Sequence, residues 1–290
     1  MREVLGNIVR SKILNIVQQD INDLADLGIK AKLAVVIVGN DPSSKVYVRS
    51  IEKLCLKMNL LFSLHQIDAS TKEIELFNSI KTLNNDKSVH GILCQFPLPI
   101  NFKNEIVTEN ISPFKDVDSI SPANIAKWAT GKYSFIPCTP YAVLEILGHY
   151  NIQTSGKEII ILGRSHTVGR PLSILLSNPT FNATVTLCHS KSENLQAITR
   201  RADILISAIG KANFVTESFL KKDCTIIDVG INYIEDNTHP QKGYVVGDVD
   251  LSSVKDFPCN LTPVPGGVGP VTISTLLLNT LKAARLQLTR

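Results

Sequence analysis

The chain lacks any long uncharged hydrophobic run. Its opening segment, MREVLGNIVRSKILNIVQQDINDL, has apolar residues at helical spacing but charges throughout. It therefore reads as an amphipathic helix, neither signal peptide nor membrane anchor. Runs of one charge are also missing. Lysine and arginine are dispersed, with no run longer than Arg200-Arg201 or Lys221-Lys222, and the net charge is +4. A nucleic-acid-binding stripe is not expected. The six cysteines (Cys55, Cys94, Cys138, Cys188, Cys224 and Cys259) include no C-x-x-C pair, which speaks against a zinc site or a disulfide framework and suits reduced thiols. No metal is expected. There is no repeat of fixed period and no low-complexity stretch. What remains is a chain of 290 residues, 44% hydrophobic, with enough apolar content for two cores. The expectation is a cytoplasmic enzyme without a membrane or nucleic-acid partner.

The apolar pattern alternates between strand-like and helix-like segments. Buried-type strands are expected at 33–38, 62–67 and 91–94, with helices at 43–58, capped by Asp41 or Ser43, and at 73–83. A helix is expected after Pro137-Cys138-Thr139-Pro140, with Thr139 as cap and Pro140 at the first helical position. Further strands are expected at 158–162, 183–188, 204–208 and 225–229, with a return segment at 244–246. The closing helix, 272–288, is apolar enough to pack back on the first half. The fold class is α/β: two α/β domains with a cleft between them, the second Rossmann-like. Residues 1–139 plus 271–290 form the first domain and 140–270 the second.

The segment KEIIILGRSHTVGRP (157–171) is the most informative. A β-branched run enters a glycine turn at Gly163-Arg164-Ser165, and a helix-compatible stretch begins near Gly169. Strand, turn and helix N-terminus form a phosphate cradle, because free N–H groups and the helix dipole face the anion. The second glycine of the usual G-x-G-x-x-G is absent: Ser165 takes its place, and the last glycine comes one residue late. Also absent is a carboxylate at the end of the next strand, where an NAD site holds the ribose 2′-OH. His189, Ser190 and Lys191 stand there instead. Cationic and hydroxyl groups suit a 2′-phosphate, so the expected cofactor is NADP.

Two loops are richer than connectors. PFKDVD (113–118) holds two carboxylates and a lysine; TPVPGGVGP (262–270) holds three prolines and three glycines before a helix. With VGNDPSSKVYV (38–48), GILCQFPLP (91–99), PCTP (137–140), GRSHTVGRP (163–171), ATVTLCHS (183–190), IDVGIN (227–232) and VVGDVD (245–250), they make the sequence resemble the methylenetetrahydrofolate dehydrogenase/methenyltetrahydrofolate cyclohydrolase family. The resemblance runs from the early strand to the final helix. It implies tetrahydrofolate derivatives as substrates, NADP on the second domain, and a homodimer joined through the nucleotide domains. It also implies that Tyr47, with Val48 beside it, packs on the folate rings, that Asp118 holds the polar edge of the pterin, and that Gln95 hydrogen-bonds the catalytic lysine. Gly163, Arg164, Ser165, Val168, Gly169, His189, Ser190 and Ile231 match the cofactor site, with Arg164 and Ser190 on the 2′-phosphate. Pro263, Pro265, Gly266, Gly267 and Pro270 match the loop lining the folate and nicotinamide pocket.

The most consequential absence is that catalytic lysine. The family helix carries Tyr-x-x-x-Lys, and four residues after Tyr47 this chain has Ile51. Lys53 does not substitute: six residues on, it lies about 240° around the helix. Ser119 is a lesser departure, where the family usually has glycine. Hydride transfer needs mainly alignment, since the cofactor carries the chemistry. Methenyl hydrolysis needs protons moved, which isoleucine cannot do. The expected activity is NADP-dependent methylenetetrahydrofolate dehydrogenation with cyclohydrolase activity weak or absent. The alternatives are a folate- and NADP-binding pseudoenzyme and a bifunctional enzyme using another group for hydrolysis. A quinate/shikimate-type dehydrogenase on the same architecture would not need PVPGGVGP or KDVD.

Overall fold

The computed structural model describes residues 1–234 and 243–288, apart from the side chain of Ser43. The strands among them are β1 (Arg2–Glu3), β2 (Lys32–Val38), β3 (Leu61–Ile67), β4 (Gly91–Cys94), β5 (Glu158–Leu162), β6 (Thr184–Cys188), β7 (Ile204–Ser207), β8 (Thr225–Asp228), β9 (Asn232–Ile234), β10 (Tyr244–Val246) and β11 (Asn260–Leu261). The helices are α1 (Gly6–Asp26), α2 (Pro42–Lys57), α3 (Glu73–Asn85), α4 (Glu105–Thr108), α5 (Pro122–Ala129), α6 (Cys138–His149), α7 (Gly169–Ser177), α8 (Leu195–Thr199), α9 (Leu251–Val254) and α10 (Val268–Leu288). The chain divides into two compact units: Met1–Ser11 with Thr139–Thr272, and Lys12–Cys138 with Ile273–Arg290.

The first of these, the nucleotide unit, is built on a six-stranded sheet in the order β1-β11-β8-β7-β5-β6, parallel throughout. Its central strands β5, β7 and β8 are buried almost throughout: Ile159, Ile160, Ile161 and Leu162 are essentially inaccessible. From β5 the chain passes through α7 to β6 on one side, then returns to β7 on the other. That reversal is a topological switch point. Leu162 sits opposite both Cys188 and Ser207, and Ser207 opposite Asp228, so four strands end on one row and the loops after them share one edge.

The other unit has a three-stranded parallel sheet, β3-β2-β4. Ala34, Val36 and Val38 pack with Leu76 and Ile80 of α3 and Ile92 of β4. Asp41 caps α2 by accepting from the Ser44 N–H at 2.7 Å, with Pro42 in the first turn. Of the two caps considered, Asp41 is the one used; the Ser43 side chain lies outside the described residues.

Three features depart from the sequence reading. The first eleven residues belong to the nucleotide unit, because β1 adds to its sheet beside β11 (Arg2 N to Cys259 O and Val4 N to Leu261 O, both 2.8 Å). Helix α6 begins at Cys138, so Thr139 is inside it and not its cap. Helix α10 begins at Val268, taking the last residues of TPVPGGVGP into its first turn. All six cysteines are free and buried. Among the described residues, no helix is long and apolar enough to cross a membrane.

Candidate active site

In the nucleotide unit, the turn after β5 has the geometry its sequence suggests. Gly163 has φ of +111°, and a Cβ there would stand 2.2 Å from the Ala208 carbonyl oxygen. At Gly169 a Cβ would stand 1.8 Å from the Gly163 carbonyl oxygen. Only glycine lets the turn, the next strand end and the helix start come together. Ser165 replaces the second glycine by acting as a cap: its Oγ accepts from the N–H groups of Val168 at 3.1 Å and Gly169 at 3.3 Å. Arg164 is exposed at the turn. At the end of β6, His189 Nδ1 accepts from the Lys191 N–H at 3.2 Å and Ser192 Oγ from the His189 N–H at 3.0 Å. Ser190 and Lys191 are left exposed, with no carboxylate between them and β6. Ile231 is 53% exposed, and a Cβ on Gly269 would lie 3.7 Å from its Cδ1. Pro263, Pro265, Gly266 and Pro270 keep accessible surface, whereas Gly267 is buried.

In the other unit, helix α2 places Tyr47 half-buried, and the rest of its face reads Ser44, Val48, Ile51, Leu54, Cys55 and Met58, all buried. Val48, matched to substrate binding, is 3% exposed, so its side chain serves the core. Ile51 is 0% exposed, while Arg49 and Lys53 point to solvent. No charged side chain shares the Tyr47 face.

The KDVD loop runs beside β4, with the Ile92 N–H donating to the Lys115 carbonyl at 2.6 Å. Its charged residues have separate roles. Lys115 is buried and donates to the carbonyls of Leu83 (3.0 Å) and Asp86 (2.7 Å). Asp116, fully buried, accepts from the N–H groups of Ile120 and Ser121 and from Asn124 Nδ2 at 2.8–3.1 Å. Both are structural. Asp118 differs: Oδ1 accepts from the Cys138 N–H at the start of α6, at 2.9 Å. Among the described residues only Cys138 holds it. Burial pushes the Asp118 carboxyl up to about 6, against the lowering effect of Cys138. Burial also raises the Tyr47 hydroxyl, with smaller contributions from Cys138 and Asp118, which ties these three groups together electrostatically. Gln95 follows β4 and donates to the Phe96 carbonyl at 2.9 Å, leaving its Oε1 free of that bond. Ser119 has φ of +55°, the left-handed region that favours glycine. Its hydroxyl donates to the Phe135 carbonyl at 3.3 Å.

The sequence reading did not single out Asp228 and Asp248, whose buried carboxylates organise the loops after β7 and β8. The available signal was an aspartate within two residues of a glycine in both IDVGIN and VVGDVD.

Comparison with known proteins gives a consistent picture. The family model described as tetrahydrofolate dehydrogenase/cyclohydrolase, catalytic domain, matches residues 4–118. The model for the NAD(P)-binding domain of the same family matches residues 137–288. The chain is 44% identical over 280 residues to the bifunctional protein FolD of Halalkalibacterium halodurans, spanning 97% of each. Among solved structures, the bifunctional FolD methylenetetrahydrofolate dehydrogenase/cyclohydrolase from Campylobacter jejuni matches with a TM-score of 0.90 at 38% identity, over 99% of both chains. The methylenetetrahydrofolate dehydrogenase-cyclohydrolase of Trypanosoma brucei, solved with NADP cofactor and inhibitor, matches with a TM-score of 0.93 at 30% identity, over 99% of this chain and 98% of that one.

Proposed function

The chain belongs to the tetrahydrofolate dehydrogenase/cyclohydrolase family, and on that premise we propose that it oxidises 5,10-methylenetetrahydrofolate with NADP but hydrolyses the methenyl product weakly or not at all. NADP supplies the hydride acceptor. The protein's own residues bind, orient and exclude water. The turn 163–169 and the start of α7 receive the diphosphate. Arg164, His189 and Ser190 receive the 2′-phosphate; the exposed strand end without a carboxylate supports this. Val168 and Ile231 flank the dinucleotide, and residues 263–270 border its nicotinamide end. Tyr47 stacks on the folate rings. Above about pH 6 Asp118 is a carboxylate with one oxygen bonded to Cys138, and it can accept paired N–H donors from the pterin edge.

The dehydrogenase step breaks the methylene C–H bond, and its electron pair leaves as hydride, so the folate becomes a methenyl cation. No side chain has to take a proton. Hydrolysis of that cation requires water addition and proton transfer. The observation that carries the proposal is Ile51: it stands where the resemblance implies lysine, it is 0% exposed, and its helix face bears no charge. Gln95 is then left without the amine it would orient. A second reading has one observation in its favour: Asp118, at about 6, can exchange a proton near neutrality and could support hydrolysis alone. The resemblance also implies a homodimer through the nucleotide unit, which sedimentation would check.

The test is steady-state oxidation of 5,10-methylenetetrahydrofolate by purified protein with NADP and, separately, NAD. NADPH formation with a clear preference for NADP is expected. Folate and NADP binding without any NADPH formation would make the chain a pseudoenzyme and overturn the proposal.

A further inference from the structure

Asp248 is 0% exposed, yet its carboxylate accepts five hydrogen bonds. Oδ2 takes those of Ser207 Oγ (3.1 Å), Ile209 N (2.9 Å) and Gly210 N (3.3 Å). Oδ1 takes those of Lys211 N (2.9 Å) and Asn232 Nδ2 (3.0 Å). Three successive backbone amides directed at one carboxylate make an anion nest. Here the nest is filled by the protein's own side chain.

A second aspartate completes the arrangement. Asp228 accepts from Gly230 N and Asp248 N through Oδ1 (2.9 and 3.0 Å) and from Val249 N through Oδ2 (2.9 Å). Its own N–H donates to Thr262 Oγ1 at 2.8 Å. The two carboxylates interlock through glycines. A Cβ on Gly247 would stand 1.9 Å from Asp228 Oδ2, and one on Gly230 would stand 2.3 Å from Asp248 Oδ1. Two like charges brought together in a core are costly unless each is saturated with donors, and these are.

The position gives the arrangement its meaning. Ser207 ends β7 opposite Leu162, and the Ala208 carbonyl is the atom that a Cβ on Gly163 would strike. The loop held by Asp248 is thus the immediate neighbour of the phosphate turn, across the switch point from β6. In a doubly wound sheet the adenosine half of a dinucleotide lies on the β5–β6 side, and the other half crosses the switch point toward the later strands. The loops after β7 (209–211) and β8 (230–232), and the segment beginning at Thr262, border that second half.

We propose that Asp248 is a positioning residue for the nicotinamide half of NADP, tying the loop after β7 to the loop after β8 and, through Asp228 and Thr262, to residues 262–270. The inference rests on the NADP reading above. An amide cannot replace the carboxylate, because its NH2 must face N–H or O–H donors whichever way it turns.

The experiment compares full-length wild type and Asp248→Asn by titration calorimetry with two ligands, NADP and adenosine 2′,5′-bisphosphate. The second carries the adenosine half only. In the variant, NADP affinity should fall by about 10-fold or more, the scale of lost hydrogen bonds to a charged group, while adenosine 2′,5′-bisphosphate affinity should hold within about 2-fold. Equal losses for both ligands, or no loss for NADP, would overturn the proposal. If Asp248→Asn does not fold, Ser207→Ala removes one of the five donors and should show the same split on a scale of about 3-fold; an even loss there is equally fatal. Failure of wild type to bind NADP would identify the functional reading as the error.

Discussion

Asp118 and Asp228, one in each unit, are both pushed by burial to about 6, yet their surroundings differ. Asp228 is 3% exposed and takes three backbone N–H groups across its two oxygens. Asp118 keeps some exposure and is held only from Cys138 among the described residues. The same displaced pKa therefore marks a saturated structural group in one unit and a group with room for a ligand in the other. Perturbation alone does not identify a functional carboxylate; open hydrogen-bonding capacity does. The units also differ in completeness. Around the nucleotide turn each glycine demanded by close backbone approach is present, whereas the face of α2 keeps Tyr47 and has no amine at position 51.

The sharpest way to break that contrast is Ile51→Lys. It should raise methenyltetrahydrofolate hydrolysis by about 10²–10⁴-fold over wild type, the range for one positioned acid–base group, measured by loss of the methenyl species. The lower end is expected, because Ile51 is fully enclosed and a buried amine must lose its proton or find a partner. Arg164→Ala comes next. It should weaken NADP binding by about 1.5–3 kcal/mol and leave NAD nearly untouched; equal losses would show that Arg164 does not read the 2′-phosphate.

The two aspartates can then be separated by pH. Each carboxyl moves from an ordinary 3.8 to about 6, so between those values the folded chain holds more protons than the unfolded one. Each therefore makes stability fall as pH rises from about 4 to about 6. Removing Asp228 with Asp228→Asn should narrow the stability gap to wild type on going from pH 4 to pH 7, measured by denaturant unfolding. Only Asp118 should also appear in binding: folate affinity should strengthen as pH rises through about 6, and Asp118→Asn should flatten that dependence. A binding profile unchanged in Asp118→Asn would remove Asp118 from the site. The smallest expected effect is Ser119→Gly, which relieves φ of +55° but loses the hydroxyl bond to Phe135; a net change within about 1 kcal/mol in either direction is expected from thermal unfolding.

What the sequence showed, and what it hid, follows from the range of the interactions. The strands 158–162 and 91–94 and the start of α7 were legible because β-branched runs and glycine turns are local signals. The outward direction of Lys53 was legible because helix geometry is fixed. Strands β1 and β11 have two residues each, too few to show a period, so the membership of the first eleven residues was hidden. The start of α6 was displaced by Asp118, which lies twenty residues upstream of Cys138 and bonds its amide; no local cap rule contains that contact. The Asp228–Asp248 interlock was invisible for the same reason. The separate roles of Lys115, Asp116 and Asp118 within one four-residue motif required the fold, since sequence gives the charges but not the atoms they meet.

Isoleucine at position 51 should leave oxidation intact and hydrolysis weak or absent. This is tested most directly by following NADPH and methenyltetrahydrofolate together as wild-type protein oxidises 5,10-methylenetetrahydrofolate with NADP. The two products should rise in equal amounts, and the methenyl species should then decay at or only slightly above the rate seen without protein. Methenyltetrahydrofolate that lags behind NADPH while 10-formyltetrahydrofolate accumulates would contradict this, and would place the missing proton-transfer group elsewhere, with Asp118 the first residue to examine.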